Sequence, residues 1–313
     1  MIAPLDPDYA PIVVVTRPAL GIDITQFPAH EAVRKMRAAI GTISSINDPE
    51  IDVDDRAAPG FGADVLVRIY RPRSASFKGV LVNFHGGGWI VGSAEMDDER
   101  CHALAKAADC NIVSVSYRLA PEHPFPTPLE DCYSVVSWVA DNAKSLGFDR
   151  DRIAVGGVSA GANLAAATTL LARDRRGPTL AFQHLLVPVT DADFSRASYN
   201  KYGEGYITTR AVMSWFWDQY AHSQDDRQNP YAAPFRALDL SKLPPALIQT
   251  AECDPLCDEG EAYAKRLADA GVTVTCTRYA GVPHGFIAMG LHLNKGRIAM
   301  DEAAAALKIK LSG

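Results

Sequence analysis

The chain has 313 residues, of which 48% are hydrophobic and 22% are charged, and its formal net charge is −6. This length suits one large α/β domain or two smaller ones, and the composition is typical of a globular protein with a substantial core. The acidic balance excludes a broad basic surface for nucleic acid or anionic lipid. No stretch approaches the roughly 20 apolar residues of a membrane-spanning helix.

Residues 1–8 are acidic and interrupted by proline, and they lack the basic and apolar regions of a signal peptide. We therefore expect a cytoplasmic protein in which the six cysteines are reduced and fill the core. Cys253 and Cys257 lie close together in the chain, but no second pair of ligands accompanies them. The sequence accordingly predicts no metal site, and it indicates no cofactor.

The first predicted element is an amphipathic helix over residues 29–43, with Val33, Met36, Ala39 and Ile40 on one face. Strands are predicted over residues 64–70, 79–84, 111–117, 152–156, 182–189, 246–250 and 273–279. Helices are predicted over residues 95–109, 129–146, 160–176, 258–270 and 297–309. This alternation indicates a mostly parallel sheet with helices on both faces.

Residues 191–240 interrupt the alternation, because they contain no clear strand and many aromatic side chains. An insertion of this length in a compact domain is usually a lid or a binding segment. The alternative is that the aromatic residues pack a large core.

Two glycine motifs follow predicted strands. Ser159 is the central residue of a G-x-S-x-G sequence between a short apolar strand and a helix, which is the context of a nucleophile elbow. His85 begins the sequence HGGGW at the end of an earlier strand. Successive glycines leave backbone N–H groups accessible to a substrate oxygen, as an oxyanion hole requires. We expect His85 itself to hold this turn through its ring nitrogens.

A serine nucleophile requires a base and an orienting carboxylate, in the chain order serine, acid, histidine. His284 follows the last predicted strand directly, whereas His292 is more typical of the surface. Asp254 follows the preceding strand, at the end of a strand where open α/β sheets place their sites. Asp258 and Glu259 are competing acids, although their expected role is negative charge at the start of the next helix.

These motifs together resemble the hormone-sensitive-lipase-like esterases, the bacterial family IV carboxylesterases of the α/β-hydrolase fold. The resemblance rests on HGGGW, on YRLAPE at residues 117–122, on residues 157–164, on DPLCDEG at residues 254–260 and on HGF at residues 284–286. It extends from about residue 60 to the C-terminus. It departs from the family at Val158, where Asp or Thr is usual, and at Ala162, where Gly is usual.

The resemblance implies an α/β-hydrolase fold with an eight-stranded, mostly parallel sheet and a helical cap. The cap would comprise residues 1–50 and 191–240, and the core would comprise residues 51–190 and 241–313. The family also implies a Ser159, His284 and Asp254 triad, with oxyanion donors at Gly86, Gly87 and Ala160. For residues 117–122 we expect a structural role, in which Arg118 pairs with Glu122 under the site.

The predicted function is serine carboxylesterase, acting on short- to medium-chain acyl esters through an acyl-enzyme. Aromatic residues near the cap suggest pocket walls at Trp89, Tyr202, Trp215 and Phe216. An amidase or lactonase would use the same triad. A ligand-binding receptor on this fold, as in the plant gibberellin receptors, would lack the catalytic histidine, which is present here as His284. The family also implies a possible homodimer through the last strand.

Overall fold

Eight strands form one sheet in the computed structural model, in the order β1-β2-β4-β3-β5-β6-β7-β8. The structure describes residues 5–11, 13, 24–39, 46, 48–73, 76, 78–287 and 291–312. The strands are β1 (Ile51–Pro59), β2 (Asp64–Pro72), β3 (Val80–Phe84), β4 (Asn111–Ser116), β5 (Ile153–Val158), β6 (Phe182–Leu186), β7 (Ala246–Cys253) and β8 (Val274–Pro283). β2 runs antiparallel to β1 and β4, and strands β3 to β8 are parallel. The mostly parallel sheet that the sequence predicted is confirmed.

Helices cover the sheet and fill the segment without strands. They are α1 (Ala29–Ala39), α2 (Asp98–Ala108), α3 (Thr127–Asp141), α4 (Ala143–Leu146), α5 (Ala160–Asp174), α6 (Ala197–Tyr202), α7 (Arg210–Tyr220), α8 (Gln224–Gln228), α9 (Cys257–Asp269) and α10 (Asn294–Leu311). Three short 3₁₀ turns lie at Ile24–Gln26, Ala94–Asp97 and Pro234–Arg236. The predicted helix over residues 29–43 is observed from Ala29 to Ala39, and its remainder, including Ile40, lies outside the described residues.

β1 is the strand that sequence patterning did not locate. Its sequence is IDVDDRAAP, and only Ile51 and Ala58 are buried. β1 lies at the edge of the sheet, where a strand needs no apolar alternation and charges discourage pairing with other chains. Two of its acidic residues, Asp52 and Asp55, instead lie opposite arginines on β2. Arg68 lies opposite Asp55 and donates to it from Nε at 2.7 Å.

Apolar side chains of the described residues form two large clusters on the two faces of the sheet, a smaller third cluster, and a fourth made of Tyr202, Tyr206 and Cys253. The third cluster consists of Ile24, Ala32, Val33, Ile90, Val91, Ala120 and Trp215. It joins α1 and α7 to the segment that follows β3, so the N-terminal helix and the aromatic segment 191–240 meet above the carboxyl end of that strand.

Two further sequence expectations concern the burial of the cysteines and the absence of a membrane-spanning helix. Five of the six free cysteines are buried, but Cys276 is exposed, because it lies on β8 at the other edge of the sheet; the expectation that all six fill the core is wrong there. None of the helices in the described part of the chain combines the length and the hydropathy that a membrane crossing needs.

Candidate active site

The motif residues meet at one edge of the sheet. His85, Ser159, Asp254 and His284 each follow the last residue of β3, β5, β7 and β8, respectively. Because these four strands are parallel, their carboxyl ends lie at the same edge, where open α/β sheets place their sites.

Three of these side chains form a continuous line of hydrogen bonds. His284 Nδ1 lies 2.7 Å from Asp254 Oδ2, and His284 Nε2 lies 3.0 Å from Ser159 Oγ. Asp254 is 1% exposed and accepts a further bond at 3.0 Å from the Leu256 N–H, which fixes its orientation. In this arrangement the imidazole can remove the serine proton, while the carboxylate holds the ring in the required tautomer.

Ser159 lies at a sharp turn between β5 and α5. Its backbone has φ 55° and ψ −117°, a left-handed conformation that a non-glycine residue adopts only under constraint. The Ser159 N–H donates to the Leu186 carbonyl at 2.9 Å, which ties the turn to β6. Ala160 is the first residue of α5, where an N–H group has no acceptor within its own helix.

The glycine turn after β3 lies beside this elbow. A Cβ built on Gly86 would stand 3.7 Å from Ser159 Cβ, so the two backbones are close neighbours. Gly87 has φ 112°, and its carbonyl accepts from the N–H groups of Ile90 and Val91 at 3.1 Å each. Among hydrogen bonds between described residues, none uses the N–H of Gly86 or Gly87. These donors therefore remain available next to the serine.

His85 holds the glycine turn in place through contacts of its buried ring. Its ring is buried, lies 4.2 Å from the Tyr117 ring with 9° between the planes, and has Nδ1 2.7 Å from the Gly86 carbonyl. Burial lowers the pKa of His85, so the neutral ring donates from Nδ1 to that carbonyl. The Tyr117 hydroxyl in turn donates to the His85 carbonyl at 2.8 Å. The structure thus gives Tyr117, the first residue of YRLAPE, a contact with the glycine turn.

Known proteins are similar to this chain in fold and in sequence. The sequence model of a protein family described as having the alpha/beta hydrolase fold matches residues 81–288. The chain is 38% identical over 291 residues to an arylesterase of Saccharolobus solfataricus, covering 91% of this chain and 92% of that one. It is 38% identical over 267 residues to an ethyl acetate hydrolase of Pseudomonas putida, covering 84% of each. A thermostable esterase from Pseudomonas putida ECU1011 superposes with a TM-score of 0.91 and 34% identity, covering 99% of this chain and 98% of that one.

The chain belongs to the hormone-sensitive-lipase-like family of α/β-hydrolases. The family that the motifs indicated is therefore confirmed, as is the predicted enzyme class of carboxylic ester hydrolase. Within the described residues of this hydrolase, no group of three or more His, Cys, Asp or Glu side chains is arranged to hold a metal ion.

The four aromatic residues assigned to the pocket lie in different surroundings. Trp89 is 0% exposed and stacks on Tyr220 at 4.2 Å, so it offers no surface to a substrate, and its assignment to the pocket wall is corrected to the core. Tyr202 packs against Tyr206 with ring centroids 5.5 Å apart. Whether an aromatic side chain lies in the core or in a pocket depends on the path of the backbone, and the aromatic composition of a segment does not specify that path.

Phe216 packs against the glycine turn from α7. A Cβ on Gly88 would stand 2.5 Å from the Phe216 ring, and the ring is only partly buried. Trp215 precedes Phe216 on α7 and belongs to the third cluster.

Val158 and Ala162, the two residues at which the chain departs from the usual family sequence, are both buried. Val158 lies in one of the two large clusters and Ala162 lies in the other.

The expected pairing of Arg118 with Glu122 is wrong. Arg118 instead binds Asp131 on α3, donating from Nε and from Nη2 at 2.8 and 2.7 Å. Glu122 binds Arg37 of α1 through both carboxylate oxygens at 2.8 Å. Each residue has an oppositely charged partner far away in sequence, which spacing within the motif cannot reveal.

Glu259 has a larger role than the predicted charge at a helix start. It lies in the first turn of α9 but is 0% exposed, and its Oε1 accepts from the Thr190 N–H at 2.7 Å. On the other side of this loop, Asn163 Nδ2 donates to the Val189 carbonyl at 3.0 Å. The loop after β6 is thus held between the elbow helix and α9. A polar Asn163 within the apolar start of α5 is the signal that sequence reasoning passed over.

Proposed function

We propose that this carboxylic ester hydrolase acts through Ser159 as nucleophile, His284 as general base and Asp254 as the group that orients the histidine. The observation that carries the proposal is the unbroken hydrogen-bond line from Asp254 Oδ2 through His284 to Ser159 Oγ, with bonds of 2.7 and 3.0 Å. Only 8% of Ser159 and 13% of the His284 side chain are exposed. Limited solvent access favours proton transfer between these groups and a bound substrate.

Hydrolysis proceeds in two half-reactions. Ser159 Oγ attacks the acyl carbon while its proton moves to His284 Nε2, and a C–O bond forms. The tetrahedral intermediate then expels the alcohol, which takes the proton from His284, and an acyl-serine remains. Water, deprotonated by the same nitrogen, attacks that acyl-serine, and the bond between the acyl carbon and Ser159 Oγ then breaks. His284 returns the proton to Ser159 Oγ as the carboxylic acid leaves.

The oxyanion of each intermediate is proposed to bind the N–H groups of Gly86, Gly87 and Ala160. The first two have no acceptor among the described residues, and the third is at the positive end of the α5 dipole. Donors fixed before the reaction stabilise developing charge without reorganisation. These donors are rigid because the glycines of the turn are packed too closely against their neighbours for any side chain to fit, and because the buried His85 binds the turn.

The proposed substrates are short- to medium-chain acyl esters. One relative is named for ethyl acetate, a small ester, and another for aryl esters. The cap, formed by residues 1–50 and 191–240, would cover the acyl site, with Phe216 beside the glycine turn and Tyr202 and Trp215 further away. Residues 51–190 and 241–313 would form the catalytic core.

Labelling with an organophosphonate tests the nucleophile. We expect one adduct, located at Ser159 by peptide mass spectrometry, and hydrolysis of p-nitrophenyl acetate to fall by about 10⁵-fold or more in Ser159→Ala. The exposed Ser145 is the matched control, and Ser145→Ala should react and hydrolyse like the wild type. Labelling elsewhere, together with wild-type turnover by Ser159→Ala, would refute the mechanism.

Matched substrates test the bond that is cleaved and the chain length. We expect p-nitrophenyl esters to be hydrolysed at much higher kcat/KM than p-nitroanilides or lactones with the same acyl group. A series from acetyl to lauroyl esters should reach its maximum at or below the octanoyl ester. Faster cleavage of the anilide would make the protein an amidase, and faster opening of the lactone would make it a lactonase.

A homodimer through β8 is proposed as the assembly. β8 ends the sheet and pairs only with β7 among the described strands, so one of its edges is open to a second copy. Sedimentation velocity should give a dimer in the wild type. A proline in the middle of β8 should convert it to a monomer, because proline removes an edge donor.

A further inference from the structure

Arg37 of α1 makes four hydrogen bonds with three separate groups. Its Nη1 and Nη2 each donate to Glu122 at 2.8 Å, its Nε donates to the Ile90 carbonyl at 3.0 Å, and its Nη2 also donates to the Ala120 carbonyl at 3.2 Å. A planar guanidinium presents donors in a fixed fork, so it can bridge these acceptors in one orientation. A single side chain thus joins the N-terminal helix to two segments of the core.

Both of those segments contact the glycine turn. The Ile90 N–H donates to the Gly87 carbonyl at 3.1 Å, so the residue whose carbonyl Arg37 binds closes the turn with its own N–H. The Ala120 N–H donates to the Trp89 carbonyl at 2.9 Å. Arg37 is therefore one backbone hydrogen bond away from the turn at both contacts.

Apolar packing holds α1 at the same place. Ala32 and Val33 on α1 lie in the third cluster with Ile90 and Val91, which are 0% and 7% exposed. Displacement of α1 would expose these two residues of the turn to water at about 25 cal/mol per Å² of apolar surface. The polar and apolar contacts of α1 thus act on the same short segment.

Stability alone does not account for this arrangement. The Arg37 and Glu122 side chains are 36% and 53% exposed, and exposed ion pairs contribute little to the free energy of unfolding. The part-buried bonds to the Ile90 and Ala120 carbonyls are instead directional, and they define where the backbone of the turn lies.

We propose that Arg37 is a positioning residue that holds the Gly86–Gly87 turn in the geometry required to bind the oxyanion, so that docking of α1 on the core is needed for full turnover. This inference rests on the proposed function, because it assumes that the turn supplies oxyanion donors. A misplacement of about 1 Å in such a group can reduce the rate roughly 10²-fold.

Arg37→Ala tests the role, with Arg34→Ala as the matched control. Arg34 lies one turn earlier on the same helix, is exposed and forms no ion pair with any described residue. In Arg37→Ala we expect kcat to fall roughly 10- to 100-fold on both p-nitrophenyl acetate and the octanoate. KM for the acetate should stay within about twofold of the wild-type value, and Arg34→Ala should match the wild type throughout.

A second measurement separates positioning from a merely structural role. Affinity for an alkyl trifluoromethyl ketone, whose hemiketal oxyanion would occupy the oxyanion hole, should weaken in Arg37→Ala by the same factor as kcat/KM for the acetate. Glu122→Gln should lose less, because it leaves both carbonyl contacts of Arg37 in place. Arg37→Lys retains the charge but lacks the fork, so its kcat should stay close to that of Arg37→Ala.

The outcomes are distinct. If Arg37→Ala has the kcat of Arg34→Ala on the acetate and only its KM for the octanoate rises, then α1 shapes the acyl site and the inference is wrong. If Arg37→Ala does not fold, Arg37→Lys decides, and wild-type kcat in that variant overturns the inference. Neither result affects the proposed function, which depends on the loss of activity in Ser159→Ala.

Discussion

The carbonyl oxygen of Phe84 lies 2.0 Å from the position that a Cβ on Gly161 would occupy. Strand β3, which leads into the glycine turn, thus lies directly against the first turn of the helix that follows Ser159. A Cβ on Gly157 would stand 2.4 Å from the same oxygen. The two glycines of the elbow are required because the backbones on either side of Ser159 touch the end of β3, which leads into the glycine turn.

Gly161→Ala should therefore be severely impaired. The clash is with backbone atoms, which cannot rotate away, so we expect a loss of several kcal/mol in the free energy of unfolding and of most esterase activity. Gly260→Ala is the matched control, since Gly260 is also helical and its nearest neighbour would be the Thr250 methyl group at 3.1 Å. That control should stay active and within about 1 kcal/mol of the wild type. Urea unfolding and ester hydrolysis measure both, and equal behaviour of the two variants would contradict the steric argument.

Asp254→Asn should separate the proposed catalytic acid from its neighbour. An amide in place of the carboxylate stabilises the wrong tautomer of His284, so kcat should fall by about 10³- to 10⁴-fold with the fold intact. Asp258→Asn is the control, because Asp258 Oδ2 accepts from the Ser198 N–H at 2.7 Å and touches no member of the triad. Its kcat on p-nitrophenyl acetate should stay near the wild-type value. A larger loss in Asp258→Asn than in Asp254→Asn would reverse the assignment.

Adjacent acids on α3 should differ in their contribution to stability. Asp131 is 0% exposed and accepts from the Arg118 side chain and from the Phe61 N–H at 2.9 Å, so Asp131→Ala should cost about 3–5 kcal/mol. Glu130 pairs with Arg175, whose side chain is 42% exposed, and Glu130→Gln should cost less than about 1 kcal/mol. Chemical denaturation measures both. A similar small cost for the two variants would show that the Arg118 pair does not anchor this segment.

Acid lability should arise in part from His184. Burial lowers the pKa of His184 to about 4. The hydrogen bond from Nε2 to Gln249 Oε1 at 2.9 Å favours the charged ring, but its effect on the pKa is smaller than that of burial. The unfolded chain, with a pKa near 6.5, binds more protons between these values, so the free energy of unfolding falls as pH drops from about 6.5 to about 4. Since each pKa unit corresponds to about 1.4 kcal/mol, this loss is about 3 kcal/mol.

His184→Gln checks that share of the pH dependence. The substitution lowers stability overall, but the decline between pH 6.5 and 4 should be shallower than in the wild type, as measured by urea unfolding at several pH values. The exposed His222, whose Nδ1 donates to the Asp218 carbonyl at 2.9 Å, is the matched control. His222→Gln should retain the wild-type slope, and an unchanged slope in His184→Gln would contradict the assignment.

Local patterns predicted most of the elements and the centre of the site. Apolar runs located β3 to β7 because strands buried on both faces need no polar alternation. Ser159 and the glycine turn were recognisable because the backbone conformation of each depends on a few residues that are adjacent in sequence. β1 was missed because its edge position lets it carry Asp and Arg in place of an apolar pattern.

Contacts between distant segments were predicted less well, as four residues show. Arg118 and Glu122 are neighbours in the motif, yet each pairs with a residue elsewhere in the chain, on α3 and on α1. Trp89 was assigned to a pocket because aromatic residues near the cap suggested apolar walls, but its left-handed backbone, with φ 62°, places it in the core against Tyr220. Nothing in the sequence around Glu259 indicates that this carboxylate is buried.

The sequence by itself indicated the family, through the resemblance of its motifs, and it predicted most strands and helices and which serine, acid and histidine are the candidates for chemistry. The predicted strands and helices depend on short-range sterics and on the period of apolar residues, both of which act within a single element. Only the tertiary structure decided that His284 lies within 3.0 Å of both Asp254 and Ser159 and that Arg37 bridges α1 to the glycine turn. The physical reason is that a hydrogen bond between residues distant in sequence depends on how whole elements pack, and packing reflects the complete set of side-chain volumes and charges.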